Sequence, residues 1–360
     1  MTVLDSRARL HPTPEDVLVA WGDRVLPEAP DFRPWRHTAT AAAAQVGYGI
    51  DRLGLLPLSS KKALLVLGHA HLRDGLPLTG VSDADEAVRI SMASHGLSIV
   101  GLRRRRRSGE WAVVDPAGST YNRRVHAGTV CKLTGPAARD PRLQAVGDVS
   151  GRHVRGTLGH SVGTITPWGS LLSGEGRFMD YFESSGPVEP ALASSFSRYA
   201  LVGPGRGWAA VDPRFDLARH PAEAFRFGWV VAIDPRRPGS RPRKLTMLGR
   251  LAHERTSAGI ADDGRAVVRL RDGLPGGHDY VYVSRDLVDH GPGPVSGRSN
   301  IKLLATGTLY VVPPQPERRP LDERASWVPL VSDSTSHVPG MSAAGVLLDT
   351  RLAAQRLLGA

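Results

Sequence analysis

The 360-residue chain carries a single cysteine, Cys131, which excludes an internal disulfide and any metal centre built on several thiolates. Lysine is almost as scarce: five of the 46 basic residues are Lys and the rest are Arg. No run of about 18 or more apolar residues occurs, so no membrane-spanning helix is predicted. Met1 to Leu10 hold neither an apolar signal core nor a twin-arginine pair followed by one, so the chain as written is expected to stay in the cytoplasm. A phosphate-binding GxxxxGK[ST] loop, an HExxH helix and an EF-hand loop are all missing.

What is present is a chain 41% hydrophobic, enough for a substantial core, with 40 Gly and 28 Pro that favour turns over long helices. The net charge of +11 admits anionic partners. Its densest expression, Arg103–Arg107, has no aromatic residue interleaved for base stacking. The run therefore reads as a solvated hairpin loop, and no nucleic-acid partner is expected. Two helices are predicted, over Thr38–Leu53 and Ser342–Leu358. Short strands are predicted at Ala63–Gly68, Leu97–Leu102, Gly228–Ile233, Ala266–Leu270 and Gly307–Val312. One phrase recurs, a Trp opening an apolar run that stops at Asp-Pro: Trp111 to Asp115, Trp208 to Asp212 and Trp229 to Asp234. Repeated strand-plus-turn units of this kind favour an all-β fold, a β-propeller ahead of a sandwich, with a few short helical insertions in one domain spanning residues 1–360.

Gly159-His160-Ser161-Val162-Gly163 matches the nucleophile elbow of serine hydrolases, which demands a helix directly afterwards. Pro167 and Gly169 oppose that helix, which leaves a serine esterase as a minor alternative. Gly203 to Gly207 is a glycine-rich loop. Carboxylates at strand ends offer a second chemistry. Glu175, Glu254, Asp272 and Asp279, if they converged, would suit a hard cation such as calcium; taken singly, each also reads as a turn or surface residue.

A series of phrases then appears in order: Val19-Ala-Trp-Gly-Asp23, Tyr121-Asn-Arg-Arg124, Leu133-Thr-Gly-Pro-Ala137, Thr166-Pro-Trp-Gly169 and Phe227-Gly-Trp-Val-Val231. Leu248-Gly-Arg250, His253-Glu254, Gly307-Thr-Leu-Tyr310 and Asp349 to Ala354 follow. Together they resemble the PhoX-type bacterial alkaline phosphatases from about Pro14 to the last residue. The resemblance implies a β-propeller holding an iron–calcium cofactor, hydrolysis of small phosphomonoesters and, for most members, export by the twin-arginine route. It also implies that Arg123 and Arg124 clamp phosphate, since a guanidinium fork matches two phosphate oxygens. Glu175, Glu254, Asp272, Asp279 and Ser161 fall at or beside the implied metal positions.

Departures accompany the matches. Ser161 stands in a segment where the family carries an iron-binding Cys, and a hydroxyl is a far poorer iron ligand than a thiolate. Ala70, Ala232 and Gly273 stand where the family has carboxylates, while Asp234 and His253 are retained. Relatives continue beyond the phrase that ends at Gly359, so a propeller lacking its final blades, with open sheet edges prone to self-association, is the expectation. These departures predict a phosphatase of reduced or lost activity, with calcium possible and iron doubtful, or else a non-catalytic binding relative.

Overall fold

The computed structural model describes residues 17–69, 78, 80–161, 163–201, 203–291, 294–314 and 326–359. Among these residues, seventeen strands form three sheets. Sheet 1 contains β1 (Ile50–Pro57), β2 (Lys62–His69), β3 (Gly96–Arg104), β4 (Trp111–Val113) and β5 (Arg123–Val125), with β4 and β5 both paired to β3. Sheet 2 contains β6 (Val130–Thr134), β7 (His153–Arg155), β8 (Thr164–Ile165), β9 (Leu171–Gly174), β10 (Val230–Ile233) and β11 (Arg243–Leu245), in the order β7-β6-β11-β10-β9-β8. Its β6–β11 pair is parallel and its other pairs are antiparallel. Sheet 3 is an antiparallel meander of β12 (His253–Ile260), β13 (Arg265–Asp272), β14 (Asp279–Leu287), β15 (Gly307–Val312), β16 (Val328–Ser332) and β17 (Thr335–Ser336).

The helices are short: α1 (Ala39–Ala44), α2 (Ala84–Ser94), α3 (Pro190–Arg198), α4 (Pro294–Leu303), α5 (Ala343–Leu348) and α6 (Thr350–Leu358). The fold is thus mostly β with few helices, and none of the three sheets closes on itself among the described residues.

Alternation along the strands explains the layering. In β2, Leu64 and Val66 join Leu97, Ile99 and Val125 against Leu171, Val231 and Ile233 of sheet 2, while Ala63, Leu65 and Leu67 pack on the opposite face with Val25 and Val46. The largest core joins sheets 2 and 3 with α5 and α6, around Trp208, Trp229, Tyr280 and Tyr282. Edge strands of the three sheets meet: β1 lies against β8, and β12 lies against β8 and β9.

Two expected elements differ. The predicted Thr38–Leu53 helix covers only Ala39–Ala44: Gln45 is extended (φ −109°, ψ 167°), a Cβ at Gly47 would lie 2.0 Å from the Ser94 carbonyl oxygen, and the last predicted residues belong to β1. The C-terminal helix is two helices. The Asp349 backbone leaves helical geometry (φ −132°, ψ 63°), and its side chain accepts from the Leu352 amide to begin α6. Of the three Trp phrases, Trp111 opens β4 and Trp229 precedes β10, whereas Trp208 opens a 3-10 turn after Gly207 at φ 70°. The Arg103–Arg107 run forms the end of the β3–β4 hairpin, as its composition suggests, with the Arg105 amide donating to the Glu110 carbonyl at 2.8 Å.

Candidate functional site

The meeting of β8, β9 and β12 brings several of the residues singled out by sequence close together. Ser161 donates its amide to the Gly174 carbonyl (2.9 Å), and the neighbouring His160 bridges to Glu175. Gly174 and Gly176 allow β12 to approach. A Cβ at 174 would lie 2.3 Å from Cβ of His253, and one at 176 would lie 2.4 Å from the His253 carbonyl oxygen and 3.0 Å from Cβ of Ser161. Ser161, Gly176 and His253 are therefore contiguous. Glu254 follows at a β-bulge: His253 pairs with Asp272 and Arg255 pairs with Arg271, which leaves Glu254 as the extra residue, turned to solvent.

Glu175 faces the other way, into the interior. Its Oε1 accepts from Lys244 Nζ (2.8 Å) and the Thr157 hydroxyl (2.8 Å), and its Oε2 accepts from the amides of Gly228 (3.0 Å) and Trp229 (3.1 Å). Both side chains of the ion pair are fully buried. Burial pulls the Lys244 ammonium below its usual range and the Glu175 charge opposes that shift. Because the Thr157 proton goes to Glu175, the Thr157 oxygen accepts from His160 Nε2 (2.9 Å) and Ser173 donates to His160 Nδ1 (2.9 Å). The imidazole is held neutral, its pKa pushed down to about 3 by burial and by Lys244.

His160 is thus committed to Thr157 and Ser173, while the Ser161 hydroxyl donates to the Gly174 carbonyl at 3.4 Å. No catalytic base stands beside Ser161 through His160, and the chain enters β8 where a nucleophile elbow needs a helix. Val162 of that motif lies outside the described residues, as does Ala70. His253 is completely buried with neither ring nitrogen hydrogen-bonded, and burial pushes its pKa down to about 4.

The remaining carboxylates separate by strand alternation. Asp272 points to the helix side of sheet 3, where it is paired with Arg351 of α6; Arg351 also donates to the Pro275 carbonyl at 2.7 Å. Burial raises the Asp272 carboxyl and Arg351 pulls it back. Asp279 occupies the opposite face, 2.8 Å from Arg271, whose Nε lies 3.8 Å from Glu254. Glu254, Arg271 and Asp279 therefore form an exposed cluster, while Glu175 and Asp272 are each buried with a cation of their own.

Adjacent Arg123 and Arg124 point apart. Arg124 donates to the Ala93, His95 and Leu97 carbonyls and to Ser98 Oγ, which ties the C-terminal end of α2 to β3. Both of its terminal nitrogens are committed to the protein, while its Nε is buried without a partner. Arg123 is half-buried, with Nη1 unpartnered, beside the Asp234 carboxylate and the neutral Cys131 thiol.

The sequence profile of the family described as "Alkaline phosphatase PhoX" matches residues 14–360. The chain belongs to the PhoX family. It is similar to the solved structure of Pseudomonas fluorescens PhoX in complex with vanadate, a transition state analogue, at 32% identity and a TM-score of 0.80. The match covers 95% of this chain and 60% of that one, so this chain spans about three fifths of the PhoX structure. No curated protein matches.

Among the described residues, no three His, Cys, Asp or Glu side chains gather to hold an ion. The donors explain why an iron–calcium centre does not fit them. Both oxygens of Glu175 are taken, Asp272 is held by Arg351, and Asp279 is held by Arg271. At two positions where the resemblance implied carboxylates, Ala232 is buried in the main core, and Gly273 places no side chain beside Glu254 although a Cβ there would lie 3.0 Å from Cβ of Glu254. Cys131 is buried, its thiol pushed up to about 12 by burial, which disfavours the thiolate that iron binding needs. The partners Lys244 and Arg351 escape sequence reasoning because they are distant in the chain from the carboxylates they meet.

Proposed function

We propose that this chain is a PhoX-type propeller directed at small phosphomonoesters, with hydrolytic turnover that is low or absent. The observation that carries this reading is the pairing of three of the four candidate metal-binding carboxylates with cations of the chain itself: Glu175 with Lys244, Asp272 with Arg351 and Asp279 with Arg271. A metal phosphatase needs those charges free to hold ions that neutralise phosphate oxygens and position the attacking oxygen. Here Lys and Arg already occupy that electrostatic role. The propeller reading rests on three separate sheets meeting at edge strands and on the likeness to a PhoX structure.

The test is p-nitrophenyl phosphate hydrolysis at alkaline pH with added calcium and iron, run beside a PhoX relative, together with elemental analysis. Turnover at least about 10–100-fold below the relative is expected, the scale on which loss of even an outer metal partner is felt. Bound iron is expected to be far below one per chain. Gly273→Asp should raise calcium binding, because it sets a second carboxylate beside Glu254. Stoichiometric iron with calcium-dependent turnover equal to the relative's would overturn the reading.

A further inference from the structure

Where α1 and α2 meet the turn between β5 and β6, a groove of about 600 Å³ opens, within the size range of small-ligand sites. Three apolar clusters come together there without joining. Leu26 belongs to the cluster on the outer face of sheet 1, Ala39 and Ala43 to the one between α1 and α2, and Met92 and Ala127 to the main core. Alanine methyl groups are too short to fill the gap, and Leu26, Ala39, Ala43 and Met92 stay only half-buried. One end of this apolar floor carries hydrogen-bond donors. In the β5–β6 turn, His126 Nδ1 accepts from the Gly128 amide at 3.2 Å, so the ring proton sits on Nε2, which has no partner among the described residues. Pairing of β6 with β7 sets Arg155 opposite Val130, beside the same turn. Arg155 spends only Nη2, on Asp212 at 2.7 Å. Asp212 is also held by Arg214 at 2.8 Å, and Glu223 beyond it lies within 4 Å of both Arg214 and Arg226. Three guanidinium groups thus face two carboxylates, and one positive charge remains unmatched at this end of the groove.

We infer that this groove binds a small aliphatic monocarboxylate, its hydrocarbon chain lying along Leu26, Ala43 and Met92 and its carboxylate held by Arg155 and the His126 Nε2–H. The floor has no aromatic ring and only aliphatic or thioether surface, which suits a flexible alkyl chain. A guanidinium with free donors beside a ring N–H suits carboxylate oxygens. A single net charge matches a monoanion, whereas a dianion would meet the full repulsion of Asp212 and of Glu28, which line the same groove. None of these residues belongs to the candidate metal positions, and binding needs no turnover, so the inference stands apart from the phosphatase reading.

The test is calorimetric titration of the full chain with the straight-chain acids from acetate to octanoate, and with octanol. Affinity should rise by up to about fourfold for each methylene that the floor covers, and octanoate should saturate at one per chain. Arg155→Gln should weaken octanoate about tenfold or more and leave octanol unchanged, since only the acid uses the guanidinium. Asp212 keeps Arg214 in that variant, so the neighbouring turn stays anchored. Ala43→Leu, which fills the floor, should abolish the binding of both octanoate and octanol while the thermal melt stays close to the parent's. Arg106→Ala with Arg107→Ala, which removes two charges from the distant hairpin, should change nothing. Four results would each overturn the inference: a flat series from acetate to octanoate, unaltered octanoate binding in Arg155→Gln, unaltered binding in a folded Ala43→Leu, or equal weakening by the hairpin variant.

Discussion

Sheets 2 and 3 each set a carboxylate beside a cation, in opposite environments. The Glu175–Lys244 pair is sealed inside, every polar atom of the carboxylate is matched, and the pair anchors the Gly228 and Trp229 amides where β10 begins. The Glu254–Arg271–Asp279 cluster lies in the open, with the side chains of Glu254 and Arg271 more than half exposed. The same residue types hold the fold together in one place and stay solvated at the surface in the other. The reason is desolvation: a buried charge must be matched by the protein, whereas water matches an exposed one.

The largest effect expected from this contrast is at Glu175. Glu175→Ala strands Lys244 in the core and removes the acceptor for two amides and for Thr157, which should cost about 3–5 kcal/mol. Adding Lys244→Met should recover part of that loss, because the stranded charge is gone. Glu254→Ala, by contrast, should stay within about 0.5 kcal/mol of the parent. Denaturant midpoints on the four proteins measure all of this. Equal midpoints for Glu175→Ala and Glu254→Ala would erase the distinction between the two sheets.

Acid should separate the regions next. The unfolded His253 imidazole takes up a proton near pH 6.5, while the folded one resists until about pH 4. The unfolded state therefore binds more protons across that window, and stability falls as the pH drops through it. The slope from this one group approaches roughly 1.4 kcal/mol per pH unit. The raised carboxyl of Asp272 acts with the opposite sign, since the folded state takes up its proton first and gains stability on acidification. The difference in slope between the parent and His253→Leu isolates the histidine. Denaturant midpoints from pH 7 to 5 should show a shallower acid loss in the variant; identical slopes would mean that His253 is protonated or solvated in the folded protein.

Much of sheets 1 and 3 was legible in advance because apolar, β-branched runs bounded by turns need no tertiary context. Gly307–Val312 emerges with the same bounds. The Asp-Pro turns were legible too, as Asp115 and Asp212 each cap a 3-10 turn by accepting the amide two residues on. The Trp208 phrase failed as a strand because Gly207 takes a left-handed conformation and drives the chain into a turn. The candidate site was legible only as positions. Family phrases pointed to Ser161 and Glu254, but the partners that decide what a carboxylate does are remote: Lys244 is 69 residues from Glu175, and Arg351 is 79 from Asp272. Spacing along the chain carries no information at that range, and only the folded register of β9, β11 and α6 supplies it.

The smallest expected effect sharpens the contrast from the exposed side. Asp279 and Arg271 form a 2.8 Å pair, geometrically as good as the buried one, with the Asp side chain 29% and the Arg side chain 52% exposed. If short distance alone made an ion pair strong, Asp279→Asn would destabilise the protein as Glu175→Ala does. Water already solvates both partners before they meet, and the pair must also immobilise a long arginine, so the net gain is small. The substitution should therefore cost about 0.2–1 kcal/mol, and less as salt is added, because screening weakens an exposed pair and leaves a buried one nearly unchanged. Thermal melts of Asp279→Asn and Glu175→Ala at low and high ionic strength provide the check. A salt-independent loss at Asp279 as large as that at Glu175 would show that the face of sheet 3 is closed off from solvent in the working protein.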